Sequence, residues 1–396
     1  MARLRSRVMV RAKRKRNRAI TAMVVAGAVN MRSRLPRPSN KTIKERLGIS
    51  FSAPCTASLL GSRNCIVIFG KLIVAGEKTK FSPSHFLMWG GINMNEEQVK
   101  RYRQATTLMK QEKWERAADI LDDLVKETAD PMATRQLVRA LAADHQYVQA
   151  LSNVLEDPNL FGTDKESAEL VVRLMVQNQR FMLARLFIAN GSAEWRNPLL
   201  MIAKDGEQAA QVKYRQTIQQ RLKEFYHLGD GTLLEQRQRL MDAYDLPLTS
   251  FLLGTRFVLR DPFVNYLIKA DIIESLRRIG VDTQLSYLWI DNNEYQANPA
   301  TLPDQEAEPA VKAVRSMIAK RLADSDAIRY QMASQQLDLQ LMFLYPRAGE
   351  VIADPNEWAT VLLATLDGQQ LGDATPTQSW QRRLMSLIST LAQNDK

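Results

Sequence analysis

The chain has 396 residues, 45% of them hydrophobic and 24% charged, and its formal net charge is +11. That length allows two subdomains with sizeable cores, and because Cys55 and Cys65 are the two cysteines, residues 94–396 have no disulfide framework. Residues 1–93 hold 19 of the 54 basic and two of the 43 acidic residues, which leaves 35 basic and 41 acidic residues in 94–396. A cysteine-free, mildly acidic body suits the reducing cytoplasm, where we expect the protein to act.

The basic segment 1–93 allows three interpretations. The arginines and lysines of 11–18 suit an arm that binds nucleic acid or an anionic membrane. The weakly apolar run 19–29 resembles a targeting segment. The codons for 88–94 would place a purine-rich GGNGG seven bases before the ATG of Met94, as in a bacterial ribosome-binding site. We favour translation from Met94, because acidic residues and helical periodicity begin abruptly there; a nucleic-acid partner is expected only if the basic segment is made.

Beyond Met94, an aromatic residue stands three positions before an alanine in three places, with alanines 33 and 34 residues apart. These pairs are Trp114 and Ala117, Tyr147 and Ala150, and Phe181 and Ala184. Such a period is typical of paired-helix repeats, in which the small residue lets two helices approach closely. Each unit ends at a helix breaker, namely Asp130-Pro131, Asp157-Pro158 and Asn190-Gly191, and we expect Gly191 to take the left-handed cap. Residues 94–192 are therefore predicted to form three helical hairpins.

In this region the chain resembles the tetratricopeptide (TPR) repeat family. Ala105, Leu108 and Ala117 match the small, large and small positions of its repeat, whereas Val138 and Val172 replace the usual glycine or alanine. The resemblance implies a mainly α fold, an antiparallel helix-hairpin solenoid, and a non-catalytic scaffold that binds a protein or peptide in a concave groove. The family's groove positions fall on Tyr102, Thr106, Lys110, Arg135, Arg139, Glu169, Arg173 and Gln177.

The basic residues at these groove positions favour an acidic or carboxylate-bearing peptide, because guanidinium groups pair with carboxylates bidentately. The alternative is that they simply solvate an exposed helix face. The lysine-asparagine carboxylate clamp of some relatives is not reproduced.

The second half is predicted to be helical with one small β insertion. A helical continuation covers 193–280, a β-hairpin 281–300, a helical subdomain 301–367 and a linker 368–378. Within the continuation we expect a long polar helix at 207–227 and another helix at 263–280. The pattern from Asp261-Pro262 through the hairpin, with Leu344-Tyr345-Pro346, resembles the second half of a group of repeat proteins from low-GC Gram-positive bacteria. That group has no assigned activity and so implies none here.

The last segment, 379–396, is predicted to be an amphipathic helix. Its apolar residues at helical spacing are Trp380, Leu384, Leu387, Ile388 and Leu391. Such a helix on a tether docks on its own body, on a partner or on a membrane surface. Protein is favoured over membrane, because only two arginines, Arg382 and Arg383, accompany the apolar face.

No catalytic, cofactor or metal residue is predicted. His145 and His227 have no partner at metal-ligand spacing, and Gly61 to Lys71 has the wrong spacing for a phosphate loop. Acidic pairs such as Asp122-Asp123 point in different directions on a helix surface. We therefore expect no small-molecule substrate and no spanning segment, and we keep an enzyme without a recognisable motif as the alternative.

Overall fold

The structure is a computed structural model that describes residues 94–370 and 372–394. The interpretations of residues 1–93 therefore lie outside the described residues. Within the described ranges the chain is mainly α, with one two-stranded antiparallel sheet, which confirms the predicted fold class.

The first six helices form three hairpins in which each helix contacts the next. They are α1 (Glu96–Lys110), α2 (Trp114–Thr128), α3 (Pro131–Ala143), α4 (Tyr147–Glu156), α5 (Lys165–Gln177) and α6 (Phe181–Asn190). A 3₁₀ turn at Pro158–Phe161 separates α4 from α5. The alanines of the 33- to 34-residue period, Ala117, Ala150 and Ala184, are fully buried, so the small residues lie where helices pack most closely.

The two helices of each hairpin are joined by the same turn, whose central residue has a positive φ. These residues are Glu112, His145 and Gln179, with φ of 59°, 60° and 59°. In the first turn, the Glu112 N–H donates to the carbonyl oxygen of Met109 and the Lys113 N–H to that of Leu108, and the other two turns repeat this pair of bonds. This is the Schellman motif, which satisfies the last carbonyls of a helix. It recurs here without a glycine at the left-handed position.

The first helix of each hairpin begins at a side-chain cap. Asn95 forms a capping box with Gln98, while Asp130 and Asp164 accept hydrogen bonds from the N–H groups of the first turn that follows each of them. Such caps satisfy backbone donors that have no partner inside the helix. Caps and turns therefore recur together along the chain.

The third hairpin leads into helices that differ from the sequence-based expectation. Gly191 is extended, with ψ of −179°, because Ser192 directly caps the next helix by accepting from the Glu194 N–H. That helix, α7, spans Ala193–Lys213, and α8 spans Arg215–Tyr226. The prediction of one polar helix at 207–227 was therefore wrong. The break falls at Tyr214, whose ring packs against the second core.

Helix α7 packs closely against α5 as well as α6, and Gly206 is the point of contact with α5. A Cβ built on Gly206 would lie 2.2 Å from Cγ1 of Val176. Glycine in a helix interior costs about 1 kcal/mol relative to alanine. Here it permits a contact that any side chain would prevent.

The remaining elements form a C-terminal body around a second core. They are α9 (Leu233–Ala243), α10 (Leu248–Val258), α11 (Tyr266–Arg278), β1 (Leu285–Leu288), β2 (Glu294–Ala297), α12 (Pro309–Leu322), α13 (Ala327–Leu344), α14 (Ala348–Val351), α15 (Pro355–Leu366) and α16 (Pro376–Asn394). Helix α11 is shorter than the predicted 263–280, because Asn265 caps it by accepting from the Leu267 N–H.

The β-hairpin is confirmed, with Leu285 opposite Ala297 and Leu288 opposite Glu294. Its turn places Asn292 in the left-handed region at a φ of 66°. A three-residue loop that ends in a left-handed residue is a common hairpin connection, and asparagine tolerates that conformation well.

The C-terminal helix α16 docks on the body of its own chain. Leu384 and Gln381 are fully buried, and the Gln381 Nε2 donates to the carbonyl oxygen of Trp358 at 2.8 Å. The Trp380 ring lies 5.4 Å from the Trp289 ring, measured between centroids. Of the three docking surfaces considered for this helix, the structure selects its own body.

Two hydrophobic cores meet at α6. Phe181 and Met182 belong to the core of the C-terminal body, whereas Leu183 and Ala184 belong to the core of the hairpins. Every residue from 181 to 188 is buried. An ion pair holds α6 to α7, since the Arg185 Nε and the Glu207 Oε1 are 2.6 Å apart and both side chains are under 10% exposed.

Candidate binding surface of the repeat helices

The candidate surface is formed by the first helices of the three hairpins, α1, α3 and α5. Helix α1 contacts α3, and α3 contacts α5, so these helices lie side by side. Tyr102 of α1 reaches Gln136 of α3 by a side-chain hydrogen bond, and burial raises the pKa of the Tyr102 phenol. The structure thus brings the expected positions of the first and second hairpins onto one surface.

Among the expected groove positions, Arg135 is the residue that the chain itself uses most fully. One of its terminal nitrogens donates to the carbonyl oxygen of Leu160 at 2.7 Å and to the Thr163 Oγ1 at 2.8 Å. The Asp164 carboxylate is 3.8 Å from the guanidinium. Arg135 therefore fastens the connection between α4 and α5 to α3, and its planar donor group is largely occupied.

Arg139 and Arg173 are engaged more loosely. Arg139 lies 3.1 Å from Glu166, a side chain that is 82% exposed, and joins α3 to α5. Arg173 lies 2.7 Å from Glu169 one helical turn away, and its side chain is 59% exposed. Ion pairs on the surface contribute about 0–1 kcal/mol to the free energy of unfolding. A carboxylate from a partner can therefore replace Glu166 or Glu169 at small cost.

The other expected positions lie around these arginines. The Thr106 hydroxyl donates its one proton to the carbonyl oxygen of Arg103 at 2.8 Å, so it can only accept a hydrogen bond from a ligand. Lys110 and Gln177 are exposed at the C-terminal ends of α1 and α5. The surface therefore offers Tyr102, Arg139 and Arg173 at its middle, with acidic side chains already interleaved.

A concave feature, which the sequence did not indicate, lies beside the β-hairpin. It is a depression of about 300 Å³, lined mainly by polar side chains: Gln284, Tyr287, Gln296, Asn298, Thr301, Arg347 and Glu350, with Ala297, Leu302 and Pro346. The Arg347 guanidinium lies over the Tyr295 ring, 3.7 Å from its centroid. Arg347 is about 50 residues beyond the hairpin in sequence, so a local pattern could not have placed it there.

Two ionisable groups of α11, Asp271 and Lys269, have shifted pKa values. Burial raises the pKa of the Asp271 carboxyl to about 6, and the Tyr244 hydroxyl lies 3.4 Å from its Oδ2. Burial lowers the pKa of the Lys269 ammonium to about 8, and its Nζ is 3.4 Å from the carbonyl oxygen of Leu288. The same Tyr244 hydroxyl is 2.7 Å from the Ser275 Oγ, so both ionisable groups make contacts inside the C-terminal body.

The histidines of the described part also make local contacts. The His145 Nδ1 is 2.6 Å from the Tyr147 hydroxyl, and the His227 Nδ1 is 3.0 Å from the Asp230 Oδ2. Among residues 94–370 and 372–394, no three His, Cys, Asp or Glu side chains are placed to hold a metal ion. Within the same ranges no helix combines the length and the apolar character that crossing a bilayer requires.

Comparisons with protein-family models, with curated proteins and with solved structures found no match to this chain.

Proposed function

We propose that this protein is a non-catalytic scaffold of the TPR type, which binds a partner protein or peptide on the surface of α1, α3 and α5. The observation that carries the proposal is the regular stacking of three hairpins with the same cap and turn, which places three first helices side by side. Repeats of this kind form extended surfaces for binding. The cysteine-free sequence of residues 94–396 supports action in the reducing cytoplasm.

The ligand chemistry follows from which arginines are available. Arg139 pairs with the exposed Glu166 and Arg173 with the half-buried Glu169, whereas Arg135 is tied to a neighbouring loop. A peptide that carries a carboxylate gains a bidentate hydrogen bond from each available guanidinium. Because the peptide must first displace Glu166 or Glu169 from its arginine, we expect a modest affinity. We also expect this affinity to fall strongly as salt is added.

The test uses tagged protein that begins at Met94, immobilised in a lysate of the native host, with bound proteins quantified by mass spectrometry. The Arg139→Ala/Arg173→Ala variant should lose the proteins that the wild type retains. The matched control is Arg116→Ala/Arg215→Ala, which removes the same charge from exposed positions on α2 and α8. Equal recovery by the groove variant and the wild type would refute the proposal.

A further inference from the structure

The two outer edges of the β-hairpin differ in whether the rest of the protein covers them. The hydrogen-bond pattern between β1 and β2 shows which backbone groups point away from the other strand. The Trp289 N–H donates to the carbonyl oxygen of Asn293 at 3.0 Å, so Trp289 and Asn293 form a hydrogen-bonded pair at the end of the ladder. Bonded and non-bonded pairs alternate along antiparallel strands. The non-bonded pairs are therefore Leu288 with Glu294 and Ser286 with Gln296. The backbone groups of these four residues point away from the sheet.

The outer edge of β1 is covered by the body of the protein. The Leu288 N–H donates to the carbonyl oxygen of Leu259 at 2.9 Å, at the end of α10. The carbonyl oxygen of Leu288 faces the Lys269 ammonium at 3.4 Å. A further strand therefore has no access to this edge.

The outer edge of β2 is open. Glu294 and Gln296 are both exposed, and within the described ranges their outward N–H and C=O groups have no hydrogen-bond partner. The strand itself is held firmly: the Tyr295 hydroxyl donates to the Asp291 carboxylate at 2.6 Å, and its ring lies under the Arg347 guanidinium. A fixed strand with free backbone groups is a template for another strand.

We propose that the open edge of β2 accepts an extended segment of a partner polypeptide as a third strand. Main-chain hydrogen bonds to Glu294 and Gln296 would supply the pairing, as in other cases of strand addition. The depression beside Gln296 is lined by Gln284, Asn298 and Thr301. The Asn298 amide is bonded to Asp282 and Ala300 and the Thr301 hydroxyl donates to the Asn298 carbonyl oxygen, so the amides of Gln284 and Gln296 are the lining groups that a ligand can use. The partner segment is therefore one with a polar, hydrogen-bonding side chain at the position next to Gln296.

The shape of this region favours a separate peptide over a second copy of the chain. An isologous contact between two β2 edges would pair Gln296 of each copy with Glu294 of the other. The Glu294 carboxylate is already 3.1 Å from the Arg260 Nε, so a second copy would bring an engaged side chain to the depression. Each depression would remain unfilled, whereas a specific interface needs close packing over about 1,000 Å² or more. A single extended segment pairs with the strand and fills the depression at the same time.

The test begins with peptides selected on the protein from a display library of random linear sequences. Hydrogen exchange measured by mass spectrometry should slow in β2 when a selected peptide binds. Gln296→Pro removes one outward N–H and leaves the ladder bonds of β2 intact. It should weaken binding by about tenfold, since both a hydrogen bond and the close approach of the new strand are lost. Gln296→Ala, which keeps the N–H, should bind nearly as the wild type does.

A second variant keeps the test valid if Gln296→Pro is poorly folded. Thr301→Trp fills the depression from an exposed position outside the ladder and should also weaken binding by about tenfold. The Arg139→Ala/Arg173→Ala variant should bind normally, which separates this site from the repeat surface. The inference is overturned if no selected peptide slows exchange in β2, or if Thr301→Trp binds as the wild type. It is also overturned if exchange in β2 slows with protein concentration alone, because that result assigns the edge to a second copy.

Discussion

The hairpins at 94–192 and the C-terminal body reach similar burial by different means. In the hairpins one turn and one small residue recur every 33 to 34 residues, side-chain caps recur every 34 to 35 residues, and each helix packs on its sequence neighbours. In the body the decisive contacts occur once and join distant segments, such as the Trp289 ring with Trp380 and the Gln381 side chain with the Trp358 carbonyl. The first region is an array of local contacts, and the second depends on single long-range ones.

This difference determines how each region responds to change. A repeat array is stabilised by the sum of similar terms, so one altered turn removes one small increment. In a core built from unique contacts, no equivalent contact elsewhere compensates for one that is lost. The junction at α6 and α7 belongs to both regions and is the place where their stabilities are joined.

The largest effect is expected at this junction, from Arg185→Ala. The substitution leaves the Glu207 carboxylate buried without its partner, which costs about 3–5 kcal/mol of unfolding free energy. Because the pair joins α6 to α7, we expect urea unfolding followed by circular dichroism to separate into two transitions.

Two variants complete this test. Arg173→Ala removes an arginine from an exposed ion pair and should cost about 0–1 kcal/mol. Arg185→Met/Glu207→Leu removes both buried charges and should recover most of the lost stability. A single transition with a loss below about 1 kcal/mol for Arg185→Ala would show that the pair does not join the regions.

A smaller, pH-dependent effect is expected in the body, from Asp271→Asn. The folded pKa of about 6 lies above the ordinary value of 3.8, so folding favours the protonated carboxyl. The stability contributed by this group is complete below about pH 4 and is lost as pH rises through about 6. Asparagine keeps the acceptor for Tyr244 without the charge. The variant should therefore be more stable than the wild type by about 1–3 kcal/mol at pH 7, and the difference should shrink toward pH 4.

Urea unfolding across this pH range measures the difference directly. The exposed residue Asp205, on α7, offers a control, since Asp205→Asn should change stability little at any pH. A stability difference for Asp271→Asn that does not vary with pH would contradict the assignment of the buried charge.

The smallest effect is expected in the repeated turns. Glu112 is exposed and adopts a left-handed conformation that glycine accepts without strain, so Glu112→Gly should raise the unfolding free energy by about 0.5–1 kcal/mol. Glu112→Ala, which retains the strain, is the control. His145→Gly should gain less, because it also removes the contact between the His145 Nδ1 and the Tyr147 hydroxyl. Thermal unfolding of the single variants tests this order, and a loss of stability in Glu112→Gly would contradict it.

The sequence predicted the features that depend on local pattern. The period of Ala117, Ala150 and Ala184 placed three hairpins correctly, because small residues at fixed spacing leave few packing arrangements. The hairpin at 281–300 followed from a run of branched and aromatic residues before Asp291-Asn292-Asn293. In both cases the residues that specify an element lie within it or beside it.

Features that depend on distant contacts were missed. The occupation of Arg135 by Leu160 and Thr163 depends on how the connection after α4 folds back. The start of α7 at Ala193 was hidden because Gly206 and many polar residues obscure its periodicity, and only the contact with Val176 explains that glycine. The depression beside β2 requires Arg347, which reaches the sheet from a later segment.

Residues 181–188 of α6 are buried on every side of the helix. The chain therefore cannot be divided directly after α6 without exposing apolar surface. A solenoid needs a polar outer surface on its terminal unit. Here that unit presents Phe181 and Met182 to the neighbouring core instead. The C-terminal body thus serves as the end cap of the array, and a fragment cut after residue 192 would expose the apolar face of α6 that carries Phe181 and Met182.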